Sequence, residues 1–395
     1  MKKLILVSIL LSQLVAVGES AYLFLLIPPN GYNNSLGGTG VSSPSIYQPF
    51  YNPAAPLNNK GLSIGLSTGY GSWLPNLATD LYKTDTYLSI AYTRNINNRL
   101  SAQINYTNIN FIFDLGEQIG MEESGNPTNT EATSEYKGNS FSIGLKSSIS
   151  NNSSIFLSYG YTNKHMVDKN SFFYPYEYEQ NLRDYGYLIS LNNKIKGDYT
   201  LTSTFGYSKS NITNDFMSYI DYDQRYPFPR NAKVGISFML EKTLKNGKYL
   251  SATILREAED LLIERNYSEE EGCGIPCYIY LDSDFGDIEI LDNVILSNSD
   301  DSTGITIHRG LNLNYNNVIN FGFGKLIDKE GRIDIKTWGF NLSILNIIKY
   351  KNLNEYLELN WIFSYDGGEQ GHPRANTRHH QLQLKVNNID KLLFN

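Results

Sequence analysis

Two cysteines and five histidines are the side chains of this 395-residue chain best suited to redox or metal chemistry. Cys273 and Cys277 stand in the stretch Cys-Gly-Ile-Pro-Cys, and no further thiolate or imidazole ligand for a zinc ion lies close by in sequence. In an exported chain this spacing favours a local disulfide across a tight loop. A redox-active pair is the alternative, but no β-α-β pattern surrounds the two cysteines.

The histidines do not form a ligand set. His379 and His380 are neighbours, so in a strand their side chains would point to opposite faces. His165, His308 and His372 are scattered along the chain. The sequence also has no Gly-x-Ser-x-Gly elbow and no phosphate-binding loop. We therefore expect a protein that is not an enzyme, uses no metal or cofactor and does not bind nucleic acid.

Residues 257–301 form a long acidic segment. The carboxylates of Asp282, Asp284 and Asp287 have a spacing compatible with Ca²⁺, but they do not follow an EF-hand register. A solvated acidic loop is the favoured interpretation, and calcium binding stays open. The stretches 275–281 and 288–296 have strand-like composition, so we expect them to form an external hairpin held by the disulfide.

The elements that position these residues show a period of two. In 357–365, Leu357, Leu359, Trp361, Phe363 and Tyr365 alternate with a mostly polar series. Such alternation places successive side chains on opposite faces of a sheet. The same pattern predicts strands at 61–71, 86–95, 99–112, 139–149, 154–165, 182–193, 198–210, 231–242, 247–258, 302–313, 317–327, 332–347, 355–366 and 378–388. We expect an all-β transmembrane antiparallel barrel of about 14 strands, each near the ~10 residues that cross a bilayer at a tilt.

The connections alternate in length. Short polar turns such as 95–98 and 150–153 follow every second strand, and mostly longer connections such as 113–138 lie between them. This order is typical of a barrel whose short turns and chain ends face the periplasm and whose long loops face outside. A soluble propeller would instead show a blade-length repeat, and none is found. The mean hydropathy of −0.34 agrees with strands that are apolar on one face only.

The N-terminus has the three parts of a secretory signal peptide. Lys2 and Lys3 precede an apolar stretch at 4–17, and small residues lead to a cleavage site after Ser20. A membrane anchor helix is the alternative, but the apolar stretch is short and interrupted. We therefore expect a signal peptide at 1–20, an N-terminal plug or hatch segment at 21–59 and the transmembrane barrel at 60–395, in the cell outer membrane.

The segment 23–55 is too rich in glycine and proline for a spanning strand. It contains Phe-Leu-Leu-Ile-Pro at 24–28, Leu-Gly-Gly-Thr-Gly-Val at 36–41 and Phe-Tyr-Asn-Pro-Ala-Ala at 50–55. These motifs, about a tenth of the chain, resemble the N-terminus of the PorV/PorQ family and, more distantly, of the FadL family. Leu36 replaces the usual Met, and Pro44-Ser45 replaces a common Ala-Asp pair. The resemblance implies a lumenal segment carried by Phe24, Pro28, Gly37, Gly38, Gly40, Asn52, Pro53 and Ala54.

The same resemblance implies a role in protein secretion or surface attachment of the type IX kind. Its partners would be outer-membrane lipid and secretion subunits or secreted cargo bound at the extracellular loops. The alternative is a FadL-like transporter of hydrophobic small molecules, with an apolar pocket near 23–55 and a lateral gap in the wall. An open porin is the third hypothesis. Aromatic residues in 173–178 and 211–230 predict an apolar mouth or an interfacial aromatic girdle.

Overall fold

The computed structural model describes residues 31–43, 48–55, 61–72, 82–114, 131–170, 176–195, 197–218, 225–244, 247–266, 277–299, 304–329, 333–348, 356–368, 376–387 and 389. The predicted signal peptide, the motif residues Phe24 and Pro28, and Cys273 lie outside these residues, as does the side chain of Cys277. The signal peptide and the disulfide therefore stay predictions.

Fourteen antiparallel strands close into a barrel, as the alternating pattern predicts. The wall consists of β1 (Gly61–Ser72), β2 (Tyr82–Asn95), β3 (Leu100–Asp114), β4 (Glu131–Ser148), β5 (Ser153–Asn170), β6 (Tyr176–Lys194), β7 (Tyr199–Ile212), β10 (Asn231–Thr243), β11 (Tyr249–Leu261), β14 (Thr306–Tyr315), β15 (Ile319–Asp328), β16 (Ile333–Ser343), β17 (Leu357–Gly367) and β18 (Arg378–Val386). Two hairpins lie in the connections between wall strands: β8 (Phe216–Ser218) with β9 (Arg225–Pro227), and β12 (Ile263–Asn266) with β13 (Cys277–Tyr280). Each wall strand pairs with its neighbours along the wall, and β1 pairs with β18 to complete the ring.

The side chains of the wall are sorted in the opposite sense to those of a soluble protein. On β3, the outward-facing Ile104 is 58% exposed, whereas the inward-facing Gln103 is 6% exposed. Leu66, Phe141 and Trp338 are likewise exposed on the outer face. A continuous apolar exterior is the surface that a bilayer requires, and ring closure leaves no strand edge with unpaired backbone groups in the lipid. The chain is therefore a transmembrane barrel.

Two apolar segments predicted as strands are helical. The end of the predicted strand 332–347 is the short helix Ile344–Ile348, because β16 pairs with β15 only as far as Leu342 and with β17 only as far as Ser343. Beyond that point neither β15 nor β17 continues its ladder with β16 in the part of the chain that the structure describes, and a helical turn pairs backbone groups locally instead. The stretch 288–296 forms the π-helix Ile290–Leu296, so the predicted hairpin forms between β12 and β13 instead. None of the helices in the described ranges is long and apolar enough to cross a membrane.

Residues 281–299, which we call the outer flap, pack on the outside of the barrel at its long-loop end. Ile288 and Val294 of the flap cover the outward-facing residues Val234, Ala258 and Ile307, each of which is fully buried. The exterior is therefore covered by protein on this side. The acidic segment is not simply a solvated loop, as the sequence suggested, because this part of it is docked.

Polar contacts hold the flap against the wall. Lys209 Nζ donates to Ser283 O at 2.6 Å and to Asp284 Oδ1 at 3.1 Å. Tyr185 Oη donates to Asp284 Oδ1 at 2.9 Å, and Tyr207 Oη donates to Asp284 O at 2.8 Å. The hydrogen bonds from Lys209 and then Tyr185 lower the pKa of the Asp284 carboxyl below its ordinary value. Asp284 is thus the main polar anchor of the flap.

We expect Asp284→Asn to loosen the flap at neutral pH. A carboxyl with a lowered folded-state pKa stabilises the docked form above its unfolded pKa, and it loses this contribution as pH falls through the folded value. Wild-type protection should therefore persist until the pH is below the usual range of an aspartate. Hydrogen exchange of peptides from 281–299 at pH 7 measures how firmly the flap is docked. Asp282→Asn is the control, because it removes the same charge from a neighbouring position. Equal exchange in Asp284→Asn and wild type would show that Asp284 is not the anchor.

Candidate functional site

Residues 31–43 and 48–55, which we call the inner segment, lie inside the barrel. The segment contains the short helices Gly31–Ser35 and Gln48–Tyr51. It contacts inward-facing groups of β5, β6, β7, β10, β11, β14, β15, β16, β17 and β18. Leu36, Val41 and Ala54 are almost completely buried. A segment that touches so much of a closed ring from its buried face must cross the lumen.

Glu257 on β11 makes the strongest polar attachment of the inner segment. Its Oε2 accepts a hydrogen bond from Gly40 N at 2.8 Å, and its Oε1 accepts bonds from Ser42 N and Ser42 Oγ at 3.2 Å each. Ser237 Oγ on β10 donates to Ser42 O at 3.0 Å. Backbone donors paired with a buried carboxylate form charge-assisted hydrogen bonds, which are stronger than neutral ones. Glu257 therefore acts as a latch for residues 40–42.

A second set of contacts holds the beginning of the segment. Thr337 Oγ1 on β16 donates to Ser35 O at 2.9 Å and accepts from Gly37 N at 3.0 Å. His308 Nδ1 lies 2.7 Å from Gly37 O. Gly31 N donates to Gln381 Oε1 on β18 at 3.2 Å. The segment is thus fixed to both sides of the barrel.

Asn52 joins the two parts of the inner segment. Its Nδ2 donates to Val41 O at 2.8 Å and to Tyr187 O on β6 at 3.1 Å, while its Oδ1 accepts from Ala54 N at 2.9 Å. Ser158 Oγ on β5 donates to Ala54 O at 2.5 Å. The Asn-Pro-Ala motif therefore combines a local turn with two attachments to the wall.

Glycines of the wall form two patches where the inner segment passes. The pairs Gly160–Gly186 and Gly206–Gly235 stand opposite each other on β5–β6 and β7–β10, and Gly310–Gly324 and Gly322–Gly339 do so on β14–β15 and β15–β16. A Cβ atom at Gly206 would lie 2.2 Å from Val41 O, and one at Gly160 would lie 2.1 Å from Pro53 O. Both distances are impossible for real atoms, so the backbone of the segment can approach only because these side chains are absent.

The structure brings together six of the eight motif residues that the sequence singled out. Gly37 and Gly38 have φ values of +73° and +79°, where side chains are disfavoured. A Cβ at Gly40 would lie 2.6 Å from the Tyr51 ring. Asn52, Pro53 and Ala54 lie at the contacts just described. Their role as a plug or hatch is a separate matter and stays a prediction.

An apolar group of residues fills the lumen on the long-loop side of the inner segment. We call it the outer-lumen cluster: Tyr51, Tyr87, Ile109, Phe111, Tyr136, Met166, Leu182, Met217 and Phe228. All are buried, and Phe50, Tyr178 and Tyr226 pack against them. The Phe50 and Tyr136 ring centroids are 6.1 Å apart, so the cluster touches the inner segment directly. Phe228, Tyr226 and Tyr178 belong to the regions predicted as an aromatic mouth, and these three side chains are turned inward.

A polar cavity of about 550 Å³ lies on the short-turn side of the inner segment. Its walls include Tyr32, Asn33, Asn312, Asn314, Asn316, Asn317, Asn320, Asn341, Asn346 and Asn360. The apolar pocket expected near 23–55 is thus not this cavity, because amides line it. Apolar surface lies instead on the opposite side of the segment, in the outer-lumen cluster.

Several charged groups inside the lumen are paired. Lys164 Nζ lies 2.6 Å from Asp184 Oδ2 and donates to Asn211 Oδ1 at 2.7 Å, and all three residues are buried. Asp184 lies at a register shift between Arg183 and Tyr185, where one residue of β6 opposes two of β7. Such bulges re-aim a side chain. Ladders nevertheless link every neighbouring pair of described wall strands, so the expected lateral gap is not present in the pairing.

The four histidines in the described ranges do not form a common ligand set. His379 faces the lumen with its Nε2 3.5 Å from Asp85 Oδ1, whereas the neighbouring His380 faces outward and stacks on Trp361. His308 contacts the inner segment, and His165 is exposed. Within the described ranges, no group of three or more His, Cys, Asp or Glu residues is arranged to hold a metal ion.

We expect Gly206→Ala to displace the inner segment while the barrel still folds, because the new Cβ would overlap Val41 O. Hydrogen exchange of residues 36–43 should rise, while heat-dependent mobility of the barrel on gels stays unchanged. Gly367→Ala is the matched control, since its nearest contacts would be the Tyr365 ring at 3.3 Å and Lys336 O at 3.4 Å, which are far less severe. If residues 36–43 of Gly206→Ala exchanged as slowly as those of the wild type, the close approach of Val41 O to Gly206 would be contradicted.

Glu257→Gln should weaken the latch. Both carboxylate oxygens accept hydrogen bonds from backbone N–H groups, whereas the NH₂ group of a glutamine is itself a donor and cannot accept one of them. Hydrogen bonds to charged groups contribute roughly 1.5–3 kcal/mol. The amides of Gly40 and Ser42 should therefore exchange at least about tenfold faster. Glu264→Gln, an exposed glutamate on β12, is the control. An unchanged exchange rate at Gly40 would exclude the latch.

The sequence matches no family model and no curated protein. Among solved structures, the chain is similar to the Ralstonia pickettii toluene transporter TbuX, at 10% identity and a TM-score of 0.42 over 90% of this chain and 96% of that one. It is similar to the Pseudomonas putida toluene transporter TodX at 9% identity and a TM-score of 0.43, over 90% of this chain and 96% of that one. The chain is also similar to the translocator domain of the autotransporter NalP from Neisseria meningitidis, at 11% identity and a TM-score of 0.36. This similarity covers 83% of this chain and 89% of that one. No family assignment follows, so the resemblance to PorV/PorQ stays a prediction.

Proposed function

We propose that this protein is an outer-membrane transporter for hydrophobic small molecules, with the inner segment as its hatch. The observation that carries the proposal is the outer-lumen cluster, a contiguous apolar group inside a barrel whose inner wall is otherwise mostly polar. A water-filled pore has a polar interior and gains nothing from such a surface. An apolar solute gains about 25 cal/mol for each Å² that it removes from water there.

The cluster is connected to the inner segment through aromatic rings. Tyr51 belongs to the cluster, and Phe50 stacks edge-on against both Tyr51 and Tyr136. Because the cluster is fully packed, an apolar ligand that enters from outside has to separate these rings. Ligand entry thus acts directly on the end of the inner segment, next to the turn that Asn52 holds.

The route continues into the polar cavity on the short-turn side. Tyr32 and Asn33 of the inner segment line that cavity, and Tyr32 Oη donates to Asn312 Oδ1 at 2.5 Å. An apolar ligand binds poorly to such an amide-lined space and is released from it to the periplasm. The tighter site thus lies on the outer side of the inner segment and the weaker one on the periplasmic side, and net inward movement follows the concentration gradient of the ligand.

The role in protein secretion or surface attachment stays a prediction from the family resemblance. No contact within the described ranges favours a secretion subunit or cargo as the partner. An open porin is disfavoured, since the inner segment bridges the lumen from β5 to β18. Both alternatives nevertheless give distinct outcomes in the experiment below.

The test uses the full-length protein purified in detergent and reconstituted in vesicles. Binding of a fluorescent phenylnaphthylamine, and its displacement by toluene or by a long-chain fatty acid, reports hydrophobic ligands; vesicle swelling with a sugar reports an open pore. Ile109→Asn should weaken probe binding at least about tenfold, because it makes one cluster position polar. Asn105→Ser, on the same strand and lumen face, should not.

Each alternative has its own signature. Sugar permeation without probe binding would support a porin. Co-purification of a translocon subunit or secreted protein, with no probe binding, would support secretion. Equal probe affinity in wild type and Ile109→Asn would show that the probe does not bind at the outer-lumen cluster, and this result would contradict the proposal.

A further inference from the structure

Four basic side chains form a row around part of the barrel exterior. Arg256 on β11 is directly opposite Arg309 on β14, Arg309 is opposite Lys325 on β15, and Lys325 is opposite Lys336 on β16. All four are outward-facing, since they alternate with inward-facing residues such as His308 and Gly310. We call these four residues the basic row.

The basic row begins where the apolar belt ends. One step toward the short turns, the same four strands carry Ile254, Leu311, Phe323 and Trp338, which are in register with one another and exposed. The row therefore lies just beyond an apolar and aromatic ring, on the long-loop side. In a membrane barrel this is the level at which acyl chains give way to headgroups.

Charge in the row is only partly compensated by the protein. Neighbouring strands are about 4.8 Å apart, so cations directly opposite each other repel. Lys325 Nζ lies 2.8 Å from Asp334 Oδ2, and it is the one member of the row with a carboxylate partner in the described ranges. Arg256 and Arg309 donate to the flap carbonyls Ile295 O and Ser297 O, which carry no net charge. The row is thus short of anions.

The opposite side of the barrel does not have this feature. At the long-loop ends of β4, β5 and β6, two of the basic side chains lie beside outward-facing carboxylates: Lys137 Nζ lies 2.8 Å from Glu135 Oε2, and His165 Nε2 lies 3.7 Å from Glu179 Oε2. A general collar of surface charge would be mixed in this way all around. The excess of cations on β11–β16 is therefore a local property.

We propose that the basic row binds the phosphate groups of anionic lipid headgroups at the outer surface of the membrane. The proposal rests on the membrane barrel and its orientation, and not on transport. Guanidinium groups match phosphate oxygens in a two-pronged geometry, and lysines add point charge. Leu291 and Leu296 of the outer flap, 66% and 56% exposed, lie beside the arginine end of the row and extend the apolar surface that acyl chains contact.

Native mass spectrometry of the full-length protein in detergent provides the test. The probes are lipid A, phosphatidylglycerol, zwitterionic phosphatidylcholine and inorganic phosphate. Wild type should retain the two anionic lipids in preference to phosphatidylcholine. The variant Arg256→Gln, Arg309→Gln, Lys336→Gln should lose at least about tenfold of that preference. The control Arg94→Gln, Arg99→Gln, Lys146→Gln removes three exposed cations at the short-turn end and should keep it.

Two results would overturn the proposal. One is an equal preference for anionic lipid in the row variant and the control, with both barrels folded on heat-dependent gels. The other is displacement of the bound lipid by inorganic phosphate at matched concentration, since that would make the row a site for free anions. The proposal is supported if the control keeps the preference for anionic lipid over phosphatidylcholine and the row variant loses it.

Discussion

A bilayer offers no water to the peptide backbone, and this constraint governs the whole molecule. Each N–H and C=O in the lipid needs a partner from the chain, and a ring in which β1 pairs with β18 supplies them. Once the ring is closed, alternation forces every second side chain outward into lipid and the others into the lumen. The exposed belt and the polar interior are two results of the same closure.

The polar interior determines how a segment inside the barrel can be held. The inner segment has little regular structure, so its backbone groups need donors and acceptors from the wall, and Glu257, Thr337 and Gln381 provide them. The glycine patches allow the close approach that these bonds require. The segment in turn divides the lumen into an outer part, where the apolar cluster lies beside the buried Lys164–Asp184 pair, and a polar inner part. This division is the basis of the proposed transport.

Much of this was accessible from the sequence. Period-two alternation predicts all fourteen strands, because a wall with lipid on one side and water on the other imposes it on each strand. The inner-segment motifs were also recognisable. The outer-lumen cluster was missed, although β3 carries a signal: apolar residues move from the outward position at Ile104 to the inward positions at Ile109 and Phe111. The π-helix and the basic row depend on docking and on strand register, which composition does not encode.

One hydrogen bond has a consequence for biogenesis. Gly31 N and Gln381 Oε1 are bonded across 350 positions of sequence, and Gln381 Nε2 also donates to Ser67 Oγ across the seam between β18 and β1. The binding site of Gly31 thus includes β18, the last wall strand in chain order, and the site is complete only when that strand has paired with β1. Closure of the wall therefore comes before the final ordering of this end of the inner segment.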